Sequence, residues 1–364
     1  MQENFYQELD PKVIFTDGDF KEFGESRGYT FGQVPYHRGR KHFLKFLIGK
    51  IPEWRGCYSK KWLSKEIPQA YKIVISFVYS PITLLWGHWI STKKKCKHIV
   101  HIADHCDLFL EPRYLAAISS ATSLLVISKK MKVLYEKETN RKDIKVFHNF
   151  PDNRCFPKKD IVETSDISFS YSSPLIVTFI GGLYESLHKG SIEDIILAIS
   201  QLRKAGSPIE LHFYGQRTPK SFLKEEIASE GIIHHGLVIP LYKKYEIMRN
   251  AHAFIVPSSF DSKINKDYQY SFPTKLTEFI ATAKPILYYG PANTETNDFL
   301  EGIKGATLIN EISIDLLMKH LHHLIKNYAQ KKTDAMQDSM QIRLEHNIDA
   351  TLLRFHNHLS EISM

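Results

Sequence analysis

The stretch LIVTFIGGLYESLHKG, residues 175–190, largely decides the fold of this chain of 364 residues. Its first six residues are apolar or β-branched, which predicts a buried strand, and the glycine pair at 181–182 predicts a turn. Ser191, with Asp194 three residues later, predicts the start of a helix, and Gly206 predicts its end. The helix has one apolar face, formed by Ile192, Ile195, Ile196, Ile199 and Leu202. A strand, a turn and a helix in this order begin a βαβ unit.

The same alternation continues in both directions along the chain. Toward the C-terminus the strand-like runs are IELHFYG (209–215), GIIHHG (231–236), HAFIVPSS (252–259), PILYYG (285–290) and ATLIN (306–310). Toward the N-terminus they are KVIF (12–15), IVISFVY (73–79), HIVHI (98–102), SLLVIS (123–128) and IKVFHN (144–149). Strands separated by helices predict parallel sheets. We therefore expect an α/β fold with two parallel sheets and a ligand cleft between them, at the carboxyl ends of the strands.

A polar segment separates the two sets of strands. Residues 156–173 are rich in Ser, Asp and Lys and lack apolar periodicity, which predicts a linker. The chain is also longer than one hydrophobic core usually supports. We therefore predict an N-terminal domain over residues 1–155 and a C-terminal domain over residues 174–335. Residues 336–364 are predicted to form a terminal helix that packs back on the N-terminal domain.

The net charge of +8 is unevenly distributed. Residues 1–150 hold 25 Lys and Arg against 15 Asp and Glu, whereas the rest of the chain holds 23 against 25. A basic half suits nucleic acid, an anionic membrane surface or an acidic substrate, but no RNP, zinc-finger or basic-zipper pattern supports nucleic acid. The four cysteines are widely spaced and form no CxxC pair, which indicates a reduced compartment. The polar, acidic opening MQENFYQELD does not resemble a cleavable signal.

Residues 73–92, IVISFVYSPITLLWGHWIST, are long enough to span a bilayer. Ser80-Pro81 in the middle is typical of a helix start, so a strand followed by a helix from Pro81 to about Ile90 is preferred. That helix, with two tryptophans and four nearby lysines, is either a core helix or a helix at the membrane interface. RGRKHFLKFLIGKIPEW (38–54) is both basic and apolar, so it either docks on anionic lipid or forms the acceptor-side helix of the domain, and membrane proximity is favoured.

Three segments of the C-terminal half occur in a recognisable order. FIGGLYESLHKG (179–190) ends a strand with glycines, IELHFYGQ (209–216) ends a strand at Gly215, and YSFPTKLTEFIATAK (270–284) carries Glu278 on a predicted helix. This arrangement resembles the donor-binding half of retaining GT-B glycosyltransferases of family four, the glycosyl transferases group 1. The resemblance covers residues 174–300 and extends to residues 123–149. It implies the GT-B architecture of two Rossmann-like domains.

The resemblance also implies a donor-binding site for a nucleotide-diphosphate sugar. Its expected members are Gly181, Gly182, Lys189, Gly215, Tyr270, Ser271, Pro273, Lys275 and Glu278. Lys189 would bind phosphate, the glycines would let the backbone approach the ligand, and the helix start at Ser271 and Pro273 would direct N–H groups at the diphosphate. Glu278 would accept hydrogen bonds from both ribose hydroxyls. The alternatives are a solvated lysine and an exposed glutamate on a helix surface.

The sequence departs from the family pattern at two positions. Tyr270 stands where the first Glu of the E-x7-E motif would fall, near the transferred sugar. The arginine that usually follows the phosphate-loop glycine is replaced by Gly182, so Lys275 or Arg217 would have to supply that charge. These departures favour a second hypothesis, in which the chain is a non-catalytic nucleotide-sugar-binding or scaffold subunit.

A polar cluster follows the predicted strand at 98–102. The resemblance implies that His101, Asp104 and His105 lie near the donor sugar and form the catalytic group. A metal site is the less favoured interpretation, because HxxDH lacks the HExxH frame and a clear third ligand. Structural polar residues at a strand end are the other alternative.

The leading prediction is a retaining hexosyltransferase that extends a surface polysaccharide, glycan or glycolipid. It would use an NDP-sugar, with UDP favoured, and no metal or other cofactor. The expected location is the cytoplasm, including the cytoplasmic face of the membrane. The predicted partners are a glycan or lipid-linked glycan acceptor and an anionic membrane surface, and nucleic acid is not expected to bind. A sugar-nucleotide epimerase or hydrolase of the same fold is a third hypothesis.

Overall fold

The computed structural model describes residues 73–78, 81–151, 155–156, 173–182, 185–215, 231–238 and 241–363. The predicted strand at 12–15, the basic segment 38–54, Arg217 and most of the linker 156–173 lie outside the described residues. The chain divides into two compact units. One runs from Asn149 to Leu353, and the other combines the preceding residues with Arg354–Met364.

The N-terminal unit is a parallel sheet with helices between its strands. Its elements are β1 (Ile73–Val78), α1 (Pro81–Lys94), β2 (Lys97–Ile102), α2 (Pro112–Ser119), β3 (Ser123–Val126), α3 (Lys129–Thr139) and β4 (Lys145–Val146). The strands lie in the order β1-β2-β3-β4, and every pair is parallel. The N-terminal strands predicted within the described ranges are therefore confirmed.

Helix α1 is a core helix over most of its length. Leu84, Trp86 and Ile90 are buried, and Trp89 is half-buried with the Lys93 ammonium 4.9 Å from its ring centroid. A glycine at position 87 is required, because a Cβ there would lie 1.7 Å from Ser76 Oγ on β1. In the described part of the chain, no helix combines the length and apolarity needed to cross a membrane.

The C-terminal unit contains the larger sheet. Its elements are β5 (Leu175–Ile180), α4 (Glu185–Lys204), β6 (Ile209–Tyr214), β7 (Ile232–His234), α5 (Leu241–Asn250), β8 (Ala253–Pro257), α6 (Ser262–Tyr268), α7 (Leu276–Ala281), β9 (Ile286–Tyr289), α8 (Glu295–Leu300), β10 (Ala306–Ile309), α9 (Ile314–Lys326) and α10 (Tyr328–Glu345). A last helix, α11 (Ile348–Ser363), passes from this unit into the N-terminal one.

The six strands lie in the order β7-β6-β5-β8-β9-β10, and all pairs are parallel. Numbered from β5, this is the order 3-2-1-4-5-6 of the Rossmann fold. The direction of winding reverses between β5 and β8, so the crevice for a ligand is expected at their carboxyl ends. The prediction of an α/β fold built from two parallel-sheet domains is confirmed.

Helix α4 packs its predicted apolar face on this sheet, but it begins earlier than predicted. All five isoleucine and leucine positions of that face are buried. The helix starts at Glu185, so Ser191 does not cap it. Ser191 Oγ instead donates to the carbonyl of Ser258, at 2.6 Å, and Asp194 accepts from the Tyr289 hydroxyl at 2.7 Å. The capping prediction was wrong because the helix starts at Glu185, and both polar side chains bond to residues distant in sequence. The predicted end is confirmed, since Gly206 has φ +85.

The end of α11 contacts the N-terminal sheet. Ser123 Oγ at the start of β3 lies 2.6 Å from His358 Nε2, and the rings of Phe147 and Phe355 are 5.9 Å apart. The Lys97 ammonium donates to the carbonyl of Ile362. Residues at the C-terminus therefore belong to the core of the N-terminal unit. The domain boundaries within the linker stay a prediction.

Candidate functional site

Backbone hydrogen bonds of glycines connect the carboxyl ends of β5, β6 and β7. Gly181 N donates to the carbonyl of Tyr214 at 2.8 Å, and Gly215 N donates to that of Gly236 at 2.9 Å. A Cβ at Gly215 would lie 1.7 Å from the Gly181 carbonyl oxygen. Only glycine fits there, because the chain leaving β6 passes directly against the loop leaving β5. Gly181, Gly182 and Gly215 thus lie beside the switch point of the sheet.

Lys275 brings a positive charge to this edge. Its ammonium donates to the carbonyl of Ile180, the last residue of β5, at 3.3 Å. A Cβ on Gly181 would lie 3.3 Å from the same nitrogen. Burial lowers the pKa of Lys275, the neighbouring Lys244 lowers it further, and Glu278 opposes both. The cation predicted to compensate for the missing arginine therefore lies beside the glycine loop.

Glu278 lies one helical turn after Lys275 and is fully buried. All six residues of α7 are buried, and the ring of Phe279 stacks on Phe254 with a centroid distance of 4.2 Å. The alternative of an exposed glutamate on a helix surface is therefore wrong. Burial raises the pKa of the Glu278 carboxyl, and the Lys244 ion pair and then Lys275 oppose that rise. Such a perturbed carboxyl next to a topological switch point is typical of functional sites.

The partner of Glu278 was missed by the sequence reasoning. Lys244 Nζ on α5 contacts Glu278 Oε2, and the lysine side chain is only 14% exposed. Two of its neighbours on the same helix, Tyr245 and Met248, are buried. A lysine on the apolar face of a helix was the signal that a buried acid would pair with it, but the sequence does not show which acid that is.

The helix start after Tyr270 differs from the prediction. Helix α7 begins at Leu276, not at Ser271 or Pro273, and is only six residues long. Pro273 instead accepts a hydrogen bond from Leu276 N at 2.9 Å, which closes a turn ahead of the helix. Ser271 N likewise donates to the carbonyl of Tyr268 at 3.0 Å, so that N–H group is used within the chain.

The remaining predicted donor residues are placed as follows. Tyr270 is half-buried immediately before this turn. Lys189 lies within α4 rather than ahead of it, again because the helix starts at Glu185, and its side chain lies outside what the structure describes. Their predicted roles stay predictions.

The N-terminal polar cluster occupies the end of β2 and the segment after it. His101 is buried with its ring 4.9 Å from that of Phe77, and Phe147 is its backbone partner. His105 is also buried, and its Nδ1 lies 3.0 Å from the Tyr135 hydroxyl. Asp104 between them is exposed. Within the described ranges, no three His, Cys, Asp or Glu side chains are arranged to hold a metal ion.

Buried histidines give the protein a defined response to acid. Burial lowers the pKa of His101 to about 3 and those of His98 and His252 to about 4. An unfolded histidine titrates near 6.5, so between that pH and about 4 the unfolded chain binds more protons than the folded one. We therefore expect stability to fall as pH drops below about 6.5, by about 1.4 kcal/mol per pH unit for each such histidine.

Urea unfolding between pH 7.5 and 5 would measure this loss. Two of these histidines, His98 and His101, lie in the N-terminal unit, so its unfolding midpoint should move more than that of the other unit. The variant His101→Gln provides the control, since its stability should depend less on pH. Equal stability at pH 7.5 and 5 would contradict the prediction.

The doubly wound parallel sheet of the C-terminal unit defines a Rossmann-like domain. Comparison with known proteins agrees with this fold. Residues 174–327 match the family model described as Glycosyl transferases group 1. The resemblance inferred from the sequence is thereby confirmed for this part of the chain. None of the curated proteins matches the chain significantly in sequence.

Several solved structures share the fold over nearly the whole chain. HepE from Anabaena in complex with UDP-glucose is 14% identical, with 96% of this chain and 91% of that chain covered and a TM-score of 0.65. A glycosyltransferase from Rickettsia africae ESF-5 is 10% identical, with 98% and 92% covered and a TM-score of 0.67. WaaG, a glycosyltransferase involved in lipopolysaccharide biosynthesis, is 14% identical, with 96% and 91% covered and a TM-score of 0.63. The fold is therefore that of GT-B glycosyltransferases.

Proposed function

We propose that this protein is a GT-B glycosyltransferase that binds a UDP-sugar and transfers its hexose, with retention of configuration, to a glycan or glycolipid. One observation carries the proposal: the buried Glu278 lies one turn from Lys275, whose ammonium reaches the carboxyl end of β5. A nucleoside diphosphate needs an acceptor for its ribose hydroxyls and positive charge for its phosphates. Glu278 and Lys275 provide both in one place.

The proposed chemistry needs no metal ion. Lys275 would stabilise the departing diphosphate at the loop formed by Gly181 and Gly182, with Lys189 as a second cation on α4. The leaving phosphate would accept the proton of the incoming hydroxyl, so the protein need not supply a base. The protein contributes charge where it develops in the transition state, which is usually the largest catalytic term.

Tyr270 and the polar cluster after β2 are the residues proposed to contact the sugar. Tyr270, in place of a glutamate, would lie near the transferred hexose. His101, Asp104 and His105 are proposed as the catalytic group on the N-terminal side. With a pKa near 3, His101 is neutral at neutral pH, so it would orient the sugar by hydrogen bonding rather than by charge.

The donor, the acceptor and the location are proposed from the comparisons and from composition. UDP is favoured because the similar HepE structure contains UDP-glucose, and a surface glycan is favoured because the similar WaaG acts in lipopolysaccharide biosynthesis. The free thiols of Cys96, Cys106 and Cys155 suit a reducing cytoplasm. The basic residues 1–150 suit the anionic cytoplasmic face of a membrane, where a lipid-linked acceptor would lie.

A screen of nucleotide sugars by thermal shift tests the proposal. UDP-sugars should raise the melting temperature of the full chain by several degrees at 100 times Kd, where binding adds about 2.7 kcal/mol. GDP-, ADP- and CMP-sugars should raise it less, and EDTA should leave the UDP-sugar shift unchanged. If no nucleotide sugar produces a shift, or if the shift requires a divalent metal, the proposal is wrong.

Tyr270 supports one alternative, a non-catalytic binding subunit. Such a protein would show the same thermal shift but would not transfer sugar by itself. Release of UDP with transfer to an added glycan acceptor by the isolated chain excludes this alternative. Release of UDP without an acceptor would instead indicate a hydrolase.

A further inference from the structure

Lys244 occupies an unusual position on helix α5. Residues on the outer side of this helix are exposed, among them Tyr242, Lys243 and Glu246. Lys244 instead lies on the inner side with Tyr245 and Met248, and its ammonium is 5.8 Å from the Tyr245 ring centroid. Lysine is rarely buried to this degree unless it is paired. Its charge is paired with Glu278 Oε2, 34 residues further along the chain.

Only one of the two Glu278 carboxylate oxygens takes part in this ion pair. Oε2 accepts from Lys244, whereas Oε1 is buried and has no hydrogen-bond partner among the described residues. An ionised carboxylate offers about four acceptor positions, and leaving a buried acceptor unsatisfied costs about 1–3 kcal/mol. The structure therefore holds an open acceptor on one oxygen and a fixed cation on the other.

We propose that Lys244 is a positioning residue for the donor, which holds Glu278 ionised through Oε2 and leaves Oε1 to accept the ribose hydroxyls. This inference rests on the proposed function, in which the site binds a nucleoside diphosphate. Burial by itself favours the protonated carboxyl, and that form loses acceptor capacity because one oxygen carries hydrogen. Lys244 provides the largest opposing effect.

The variant Lys244→Met tests the inference, because it keeps an apolar stem of similar length and removes the charge. The matched control is Lys243→Met, the next residue on the exposed side of the same helix. The affinity of the full chain for UDP, measured by calorimetry at pH 7.5, should fall about tenfold or more in Lys244→Met, as expected for a hydrogen bond to a charged group. It should stay within about twofold in Lys243→Met.

Two further measurements separate positioning from general damage to the fold. UDP should bind more tightly than 2′-deoxy-UDP, and this preference should shrink in Lys244→Met because Glu278 no longer presents an ionised acceptor. As the solution is acidified, UDP affinity should begin to fall at a higher pH in Lys244→Met than in the unmodified protein. Lys244→Arg should restore both properties. If Lys244→Met does not fold, Lys244→Gln, which keeps a donor without charge, takes its place.

The results distinguish this inference from the proposed function. If Glu278→Ala loses UDP binding and Lys244→Met retains it, the role of Lys244 is refuted and the site stands. If neither variant affects UDP binding, the proposed function fails. Tighter UDP binding by Lys244→Met would also refute the inference, since it would show that Lys244 competes with the ribose for Glu278.

Discussion

Glu278→Ala is expected to reduce UDP binding and sugar transfer by at least about a hundredfold, because it removes the carboxylate whose Oε1 would accept both ribose hydroxyls. Each hydrogen bond to a charged group contributes about 1.5–3 kcal/mol, and two of them account for a loss of this size. Glu246→Ala provides the matched control, since Glu246 is exposed on α5. Calorimetry with UDP and a UDP-release assay would measure both effects.

The stability of a second variant separates this functional loss from unfolding. Because burial raises the pKa of Glu278 above that of the unfolded chain, this group's contribution to stability decreases as pH rises through the folded pKa. Glu278→Gln keeps the size of the side chain and an oxygen that can accept from Lys244, so the variant should stay folded at pH 7.5, although its melting temperature should fall because the largely buried Lys244 charge loses its partner. It should still bind UDP poorly, because an uncharged amide oxygen accepts the ribose hydroxyls more weakly than a carboxylate oxygen does. Normal UDP affinity in both Glu278 variants would refute the assignment.

Gly215→Ala is expected to destabilise the C-terminal unit severely. The added Cβ would lie 1.7 Å from the Gly181 carbonyl oxygen and 2.7 Å from its carbon, and both belong to backbone that cannot rotate away. Overpacking a core typically costs about 1–3 kcal/mol, and this contact should reach or exceed the upper value. Because the β5 loop must shift to relieve it, UDP affinity should fall as well.

Gly190→Ala is the matched control for that substitution. Gly190 lies within α4, and its added Cβ would meet nothing within 4 Å. Alanine is favoured over glycine in a helix, so this variant should be more stable by about 0.5–1 kcal/mol. Urea unfolding of both variants checks the pair. Equal stability of Gly215→Ala and the unmodified protein would show that the glycine contact between β5 and β6 is not required.

Much of the fold could be predicted because the decisive signals are local. The apolar face of α4 follows from a 3.6-residue period, and its end follows from Gly206, whose φ of +85 an L-residue rarely adopts. The alternation of strands and helices predicted parallel sheets because successive parallel strands need a crossover between them. The glutamate on a helix after β8 was also found from the sequence, through its resemblance to a known family.

The predictions that failed concern groups whose partners are distant in sequence. Ser191 looked like a helix cap, but its hydroxyl bonds to Ser258. Ser271 is the exception, since local turns ahead of Leu276 delay the start of its helix. A local capping pattern cannot reveal that a carbonyl 67 residues away, just after β8, takes the Ser191 hydroxyl. The partner of Glu278 was missed for the same reason.

The sequence by itself determined the α/β class, the position of the described strands and the presence after β5 of a helix with one buried apolar face. Hydrophobic periodicity and glycine turns are properties of neighbouring residues, and they are readable without the fold. Only the tertiary structure decided the strand order, the contact of Gly215 with Gly181 and the pairing of Lys244 with Glu278. These depend on which segments lie side by side, and that is fixed by the packing of the whole unit.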